Sequence, residues 1–436
     1  MRIAKSASAI LGAFIAVEMH HAAAADAPAD AIMDRGEYVA RLGNCVACHS
    51  VPNAPAFSGG LKMATPLGPI YATNITPDKN TGIGNYTLED FDKAMRLGIA
   101  KDGHRLYPAM PYPSYAKISD KDMKALYDFI MKSVPAANVP NKPSEIPFPL
   151  NQRWPLAIWN NMFADDTRYQ AKAERSAEWN RGAYLVQGLG HCGACHTPRG
   201  LAFNEKGYSE KSDNFLMGAQ LDNWSATNLR QDVNTGLGAW TPKDTIEFLK
   251  TGHNRFGTAF GTMTEVINNS TQYMTDGDIK AIATYLHSLP GVREKKEDAF
   301  KYAATTESKL RAHQYDVPGA LVYMQQCMTC HRPDGKGFAP YLPPLAGNPV
   351  IQDPSPASLI NIVLNSSSMV VVEGMPDAYR MPQYRVLLND QEIADVVTFV
   401  RGSWGNKASP VTAEEVDKMR KETDPAGDEF HILRMK

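Results

Sequence analysis
Three stretches of this chain place apolar residues at intervals of three and four behind a capping residue: Ser119-Asp120 before Met123 to Met131, Thr275-Asp276 before Ile279 to Leu286, and Asn389-Asp390 before Ile393 to Val400. That spacing predicts three amphipathic helices, each started by a side chain that accepts a hydrogen bond from a free backbone N–H. A second pattern lies upstream. Arg35-Gly36-Glu37-Tyr38 and Arg181-Gly182-Ala183-Tyr184 each open a short helical stretch leading into a pair of cysteines, and Gly319 with Tyr323 precedes a third pair at a different spacing. Behind the first two pairs, Asn74-Ile75-Thr76-Pro77 and Thr81-Gly82-Ile83-Gly84 lead to Tyr86-Thr87, while Asn228-Leu229 and Thr235-Gly236-Leu237-Gly238 lead to Trp240-Thr241. Matches in the same order predict a duplicated unit, with a third, more divergent copy behind it.

The repeats are expected at residues 26–135, 176–290 and 316–405. Six prolines between Pro135 and Pro155 run into Trp154, Leu156, Ile158 and Trp159, which predicts a Pro-rich strap over 136–175 lying across its neighbours. Residues 291–315 are polar and charged, as a connector would be, and 406–436 read as a charged C-terminal tail. Residues 1–25 read as an export signal: Arg2 and Lys5, the run Ala9 to Val17, then the small residues Ala22 to Ala25 suited to cleavage. A mature N-terminal helix is the alternative. No later segment supplies about twenty apolar residues in a row, so membrane contact is expected to be peripheral or through a partner.

The length, 436 residues, suits about three domains. Lysines and arginines number 45 against 47 acidic residues, a formal charge of −2, which removes the electrostatic case for nucleic acid as a partner. With 32 glycines and 30 prolines, the chain suits short helices and many loops wrapped around something besides its own side chains.

There are six cysteines, and each falls in a Cys-x-x-Cys-His sequence: Cys45, Cys48 and His49; Cys192, Cys195 and His196; Cys327, Cys330 and His331. Two thiols three positions apart can each add to one vinyl group of a haem, and the adjacent histidine then reaches the iron. Zinc ribbons need two Cys-x-x-Cys units per metal, so three units leave an odd pair and unexplained histidines. A thioredoxin-like motif explains one pair in an α/β setting, and structural disulfides rarely use so tight a spacing. The expected cofactors are therefore three covalently bound haems c with their iron. The expected fold class is mainly α, three tandem class I cytochrome c domains, each a few helices packed around one haem that supplies apolar surface a small domain lacks.

His49, His196 and His331 are expected to give Nε2 to iron, with Nδ1 donating to a backbone carbonyl. For the opposite face, Met110 stands in Tyr107-Pro108-Ala109-Met110-Pro111-Tyr112-Pro113, 12 residues beyond Gly98, and Met263 stands 11 beyond Gly252. The third repeat offers Met375-Pro376 and Met381-Pro382; Met381 is chosen because it lies closer to the last helix. His104 and His253 are the rival ligands, and core filling is the plain alternative for any of 19 methionines. Met/His ligation raises the reduction potential and leaves no open position for substrate. No dinucleotide turn or nucleophile elbow is present, so no catalytic residue is expected here.

The chain resembles the triheme cytochrome c subunits of membrane-bound bacterial dehydrogenases acting on gluconate, alcohol, sorbitol, fructose or, with FAD, glucose. The resemblance runs from about Ala31 to Asn406 and rests on the three haem motifs, Asn74-Ile75-Thr76-Pro77, Tyr107-Pro108-Ala109-Met110-Pro111-Tyr112, the block Ser176 to Gly188, and Cys195-His196-Thr197-Pro198-Arg199-Gly200. It implies an electron-transfer subunit, not an enzyme on its own, on the periplasmic side of the inner membrane. A FAD- or PQQ-containing dehydrogenase subunit, with a small third subunit as a further candidate, is the implied donor, and ubiquinone the acceptor. Gluconate 2-dehydrogenase is the favoured branch, from Gly337-Phe338-Ala339-Pro340-Tyr341 and Met375 to Pro382. The competing readings are a free periplasmic or oxidase-linked carrier and a peroxidase with one exchangeable haem.

Overall fold
The computed structural model describes residues 33–65, 67–293, 298–376 and 379–425. The expected export segment lies outside the described residues. Each of the three expected capped helices forms: Asp120–Lys132, Asp276–His287 and Asp390–Arg401, with Ser119, Thr275 and Asn389 as caps that accept from the third residue of their helix. Each crosses a helix that leads into a cysteine pair. Glycine makes the crossings close: a Cβ at Gly36 would stand 2.3 Å from the Ala125 carbonyl oxygen, and one at Gly182 would stand 2.0 Å from that of Ala281. Gly319 repeats the arrangement against Asp395, at φ +80°.

The helices Arg35–Leu42 and Ala177–Tyr184 differ in how they reach their cysteines. The first stops at Gly43, whereas the second continues through a π-helical turn, Leu185–Leu189. In the third repeat a short helical turn, Ala320–Val322, runs into a second π turn, Tyr323–Cys327. Each Cys-x-x-Cys-His sequence then lies on about one helical turn. The strands are short antiparallel pairs, Lys62–Met63 with Ile70–Tyr71, Ala219–Leu221 with Trp224–Ala226, and His253–Asn254 with Gly257–Thr258. The described chain is thus mainly helical.

One apolar core serves the first two repeats together. Tyr38, Val39, Leu126 and Ile130 belong to the same cluster as Trp179, Leu185, Ile279 and Leu286. The third repeat has its own, built on Tyr323, Ile360, Ile393, Val397 and Trp404. A small bridge of Ala259, Ile267 and Val370 joins it to the second repeat, and polar bonds flank that bridge. Gly261 N–H donates to Ser367 Oγ at 2.7 Å, Val371 N–H to Asn268 Oδ1 at 2.8 Å, and Ser225 N–H to Ser358 Oγ at 2.8 Å.

The stretch 136–175 carries a helix, Pro155–Phe163, with proline at its first position. Asn160 accepts from the Tyr112 hydroxyl at 2.6 Å and donates to the Leu97 carbonyl at 2.9 Å, while Trp159 Nε1 donates to the Ala202 carbonyl at 2.8 Å. The helix therefore ties the first repeat to the loop behind the second cysteine pair. The stretch expected as a charged tail also holds structure. Ala413–Glu422 is a helix with a full capping box, and its Val416 and Met419 are buried against the third repeat. Arg420 fastens it by donating to Asp390 at 2.6 Å and to the Leu388 carbonyl at 2.9 Å.

Candidate electron-transfer site
All six cysteines are free thiols. Desolvation by the surrounding protein pushes Cys45, Cys192, Cys195 and Cys327 up to about 12, so each of these sulfurs keeps its proton at neutral pH. Among the described residues no three His, Cys, Asp or Glu side chains converge as ligands for a bare metal ion. The zinc alternative therefore has no site there.

The three histidines share one geometry. His49 Nδ1 lies 2.7 Å from the Thr73 carbonyl oxygen, His196 Nδ1 2.6 Å from that of Thr227, and His331 Nδ1 3.1 Å from that of Pro343. A carbonyl oxygen can only accept, so the proton sits on Nδ1 and Nε2 keeps its lone pair. Burial lowers the pKa of all three, which favours the neutral imidazole a metal requires. A thiol pair beside an imidazole fixed by its other nitrogen fits covalent haem with an axial histidine. Buried polar atoms point the same way: the Trp240 indole N–H and the Tyr107 hydroxyl have no protein partner, as groups awaiting an acceptor would be.

The methionines divide by location. Met110 packs on the core shared by the first two repeats, Met263 beside the bridge, and Met381 on the core of the third. Met375 instead lines a small cleft with Thr251 and His253 of the second repeat and with Val370 and Val372. Its surroundings are thus those of the junction, and Met381 has those of the third core. The loop carrying Met110 is held from outside by the strap, for the Arg153 guanidinium stacks 3.8 Å from the Tyr107 ring centre and donates to the Arg105 carbonyl at 2.7 Å.

The rival histidines are occupied otherwise. His104 is exposed, with Nδ1 2.5 Å from Asp102 Oδ1. His253 is buried at the junction, its ring centre 5.6 Å from that of Tyr341. Sequence reasoning did not find the carbonyls of Thr73, Thr227 and Pro343 or the strap's hold on Tyr107. For the first two a signal existed, since Thr73-Asn74-Ile75 and Thr227-Asn228-Leu229 occupy matching places in the duplicated units.

The cytochrome c family model matches residues 33–133 and 317–404. The gluconate 2-dehydrogenase cytochrome c subunit of Pantoea cypripedii is 49% identical over 407 residues, which cover 92% of each chain. The cytochrome c subunit of alcohol dehydrogenase (quinone) from Gluconobacter oxydans (strain 621H) is 45% identical over 93% of this chain and 85% of its own. The fructose dehydrogenase cytochrome subunit of Gluconobacter japonicus is 37% identical over 89% and 82%.

Proposed function
This chain belongs to the family of cytochrome c subunits of membrane dehydrogenase complexes, and from that premise we propose that it carries three haems c, one on each Cys-x-x-Cys-His sequence of three tandem cytochrome c domains. It is the electron-transfer component of an oxidoreductase complex, not the catalytic one. In this reading a FAD or PQQ subunit oxidises a sugar acid, sugar or alcohol, gluconate first among them, and this chain passes the electrons to ubiquinone from the periplasmic face of the membrane. Among the described residues no helix is long and apolar enough to cross a membrane, which favours peripheral attachment or attachment through a partner.

The observation that carries the reading is the threefold recurrence of a histidine whose Nδ1–H is held by a backbone carbonyl beside two free thiols. Bound haem supplies one-electron iron chemistry. The chain's share is to hold Cys45 and Cys48, Cys192 and Cys195, and Cys327 and Cys330 for thioether attachment, and to orient His49, His196 and His331 toward iron. Met110, Met263 and Met381 are the proposed ligands on the other face; filling both axial positions leaves a carrier without a substrate site. The surroundings of Met381 support it over Met375.

The test is the intact mass and pyridine haemochrome spectrum of the chain matured in a periplasm, then reduction by gluconate in the presence of a gluconate dehydrogenase catalytic subunit. Three haem additions with rapid reduction are expected. Fewer haems would overturn the triple reading, and reduction by an alcohol or fructose dehydrogenase alone would move the chain to another branch.

A further inference from the structure
The two complete Arg-Gly-x-Tyr sequences point in two directions at once. Their arginines stay at home: Arg35 donates to Asp122 at 2.6 Å, and Arg181 holds both oxygens of Asp278 at 2.8 Å. Their tyrosines cross over. The Tyr38 hydroxyl donates to Asp278 Oδ2 at 2.7 Å and accepts from Thr275 N–H at 3.1 Å, and the Tyr184 hydroxyl donates to Asp122 Oδ2 at 2.6 Å and accepts from Ser119 N–H at 3.2 Å. Each repeat gives the other what it receives, as across a two-fold axis between identical subunits.

The crossing replaces a contact that the chain elsewhere makes alone. In the capping boxes Thr87/Asp90, Thr241/Asp244, Asn389/Glu392 and Thr412/Glu415, the carboxylate at the third helical position accepts directly from the cap's own N–H. At Asp122 and Asp278 the other repeat's tyrosine is inserted between the two groups. The third repeat lacks this device. Pro318 precedes Gly319 where the others have arginine, and the Tyr323 hydroxyl donates within its own repeat, to the Arg332 carbonyl at 2.7 Å.

We infer that Tyr38 and Tyr184 are positioning residues, a reciprocal clamp that sets the first two haem-attachment sites relative to each other and leaves the third outside it. The inference rests on those motifs being haem sites. The sites are neighbours, since the helix Met263–Asn269 of the second repeat packs against the turn Cys45–Cys48 of the first. Both tyrosines are buried, and their bonds to carboxylates are of the stronger, charge-assisted kind. Burial first, and the facing carboxylate second, raise both phenols, Tyr38 to about 12, so each remains a donor at neutral pH.

The test uses the full haem-loaded chain as wild type, Tyr38→Phe, Tyr184→Phe and the double variant. Intact mass comes first, because a wild type without haem at 45–49 or 192–196 overturns the functional reading, whatever the tyrosines do. Hydrogen exchange then reads the clamp. Tyr38→Phe is expected to speed exchange about tenfold over residues 275–279 of the other repeat, and Tyr184→Phe over 119–123. Faster exchange confined to the substituted tyrosine's own repeat overturns the clamp. Photoreduction kinetics read the positioning: the double variant should slow electron redistribution between the first two haems severalfold and leave the potential of the third unchanged. An unaltered redistribution rate despite altered exchange overturns the positioning role.

Discussion

At the residue scale the chemistry rests on pairs. Replacing Cys192 and Cys195 by alanine should remove one haem and about a third of the pyridine haemochrome absorbance; intact mass gives the count directly. Met381→Leu should lower one reduction potential in a redox titration, whereas Met375→Leu should leave all three in place, because Met375 faces Thr251 and His253. Glu205 carries the clearest pH dependence. Burial pushes its carboxyl up to about 7 despite Arg199 and Lys117, and its Oε2 has no hydrogen-bond partner. The folded state therefore holds a proton that the unfolded chain releases near 4.5. Stability is full below that pH and declines as pH rises to about 7, by on the order of 3 kcal/mol, and Glu205→Gln should flatten the slope in urea titrations across this range. The cysteines and histidines proposed as haem ligands were legible in the sequence, because their spacing suggests that chemistry. The carbonyl that orients each histidine was not, since any backbone oxygen can serve and only the fold brings Pro343 to His331.

At the scale of elements, caps and crossings decide. The three capped helices were legible from Ser119, Thr275 and Asn389, whose side chains act as the pattern implies. Ala413–Glu422 was hidden because only Val416 and Met419 turn inward, and seven charged neighbours made the stretch read as solvated. The strap helix was hidden by its prolines, although Pro155 at the first helical position opens it. Asn160→Ala should cost about 1–3 kcal/mol by leaving the Tyr112 hydroxyl and the Leu97 carbonyl without their partner, measured as a lower urea midpoint of the haem-loaded chain. Gly182→Ala drives a methyl group into the Ala281 carbonyl and should cost at least about 1–3 kcal/mol in the same measurement.

At the scale of the whole molecule, a core shared by two repeats and a separate core in the third predict two unfolding transitions, not one or three. Calorimetry of the haem-loaded chain checks this, and the larger transition should belong to residues 33–290. Three cysteine pairs were legible in the sequence, but the unequal association of their surroundings was not. Nothing in Arg-Gly-x-Tyr announces that its tyrosine leaves home, for the same residue type at 323 stays within its own repeat. The exchange of tyrosines also imposes an order in time. Tyr38 is among the first described residues to be synthesised, yet its acceptor Asp278 comes 240 residues later. A nascent chain that ends anywhere between them leaves Tyr38 without Asp278, so this half of the clamp closes only after the second repeat has been made.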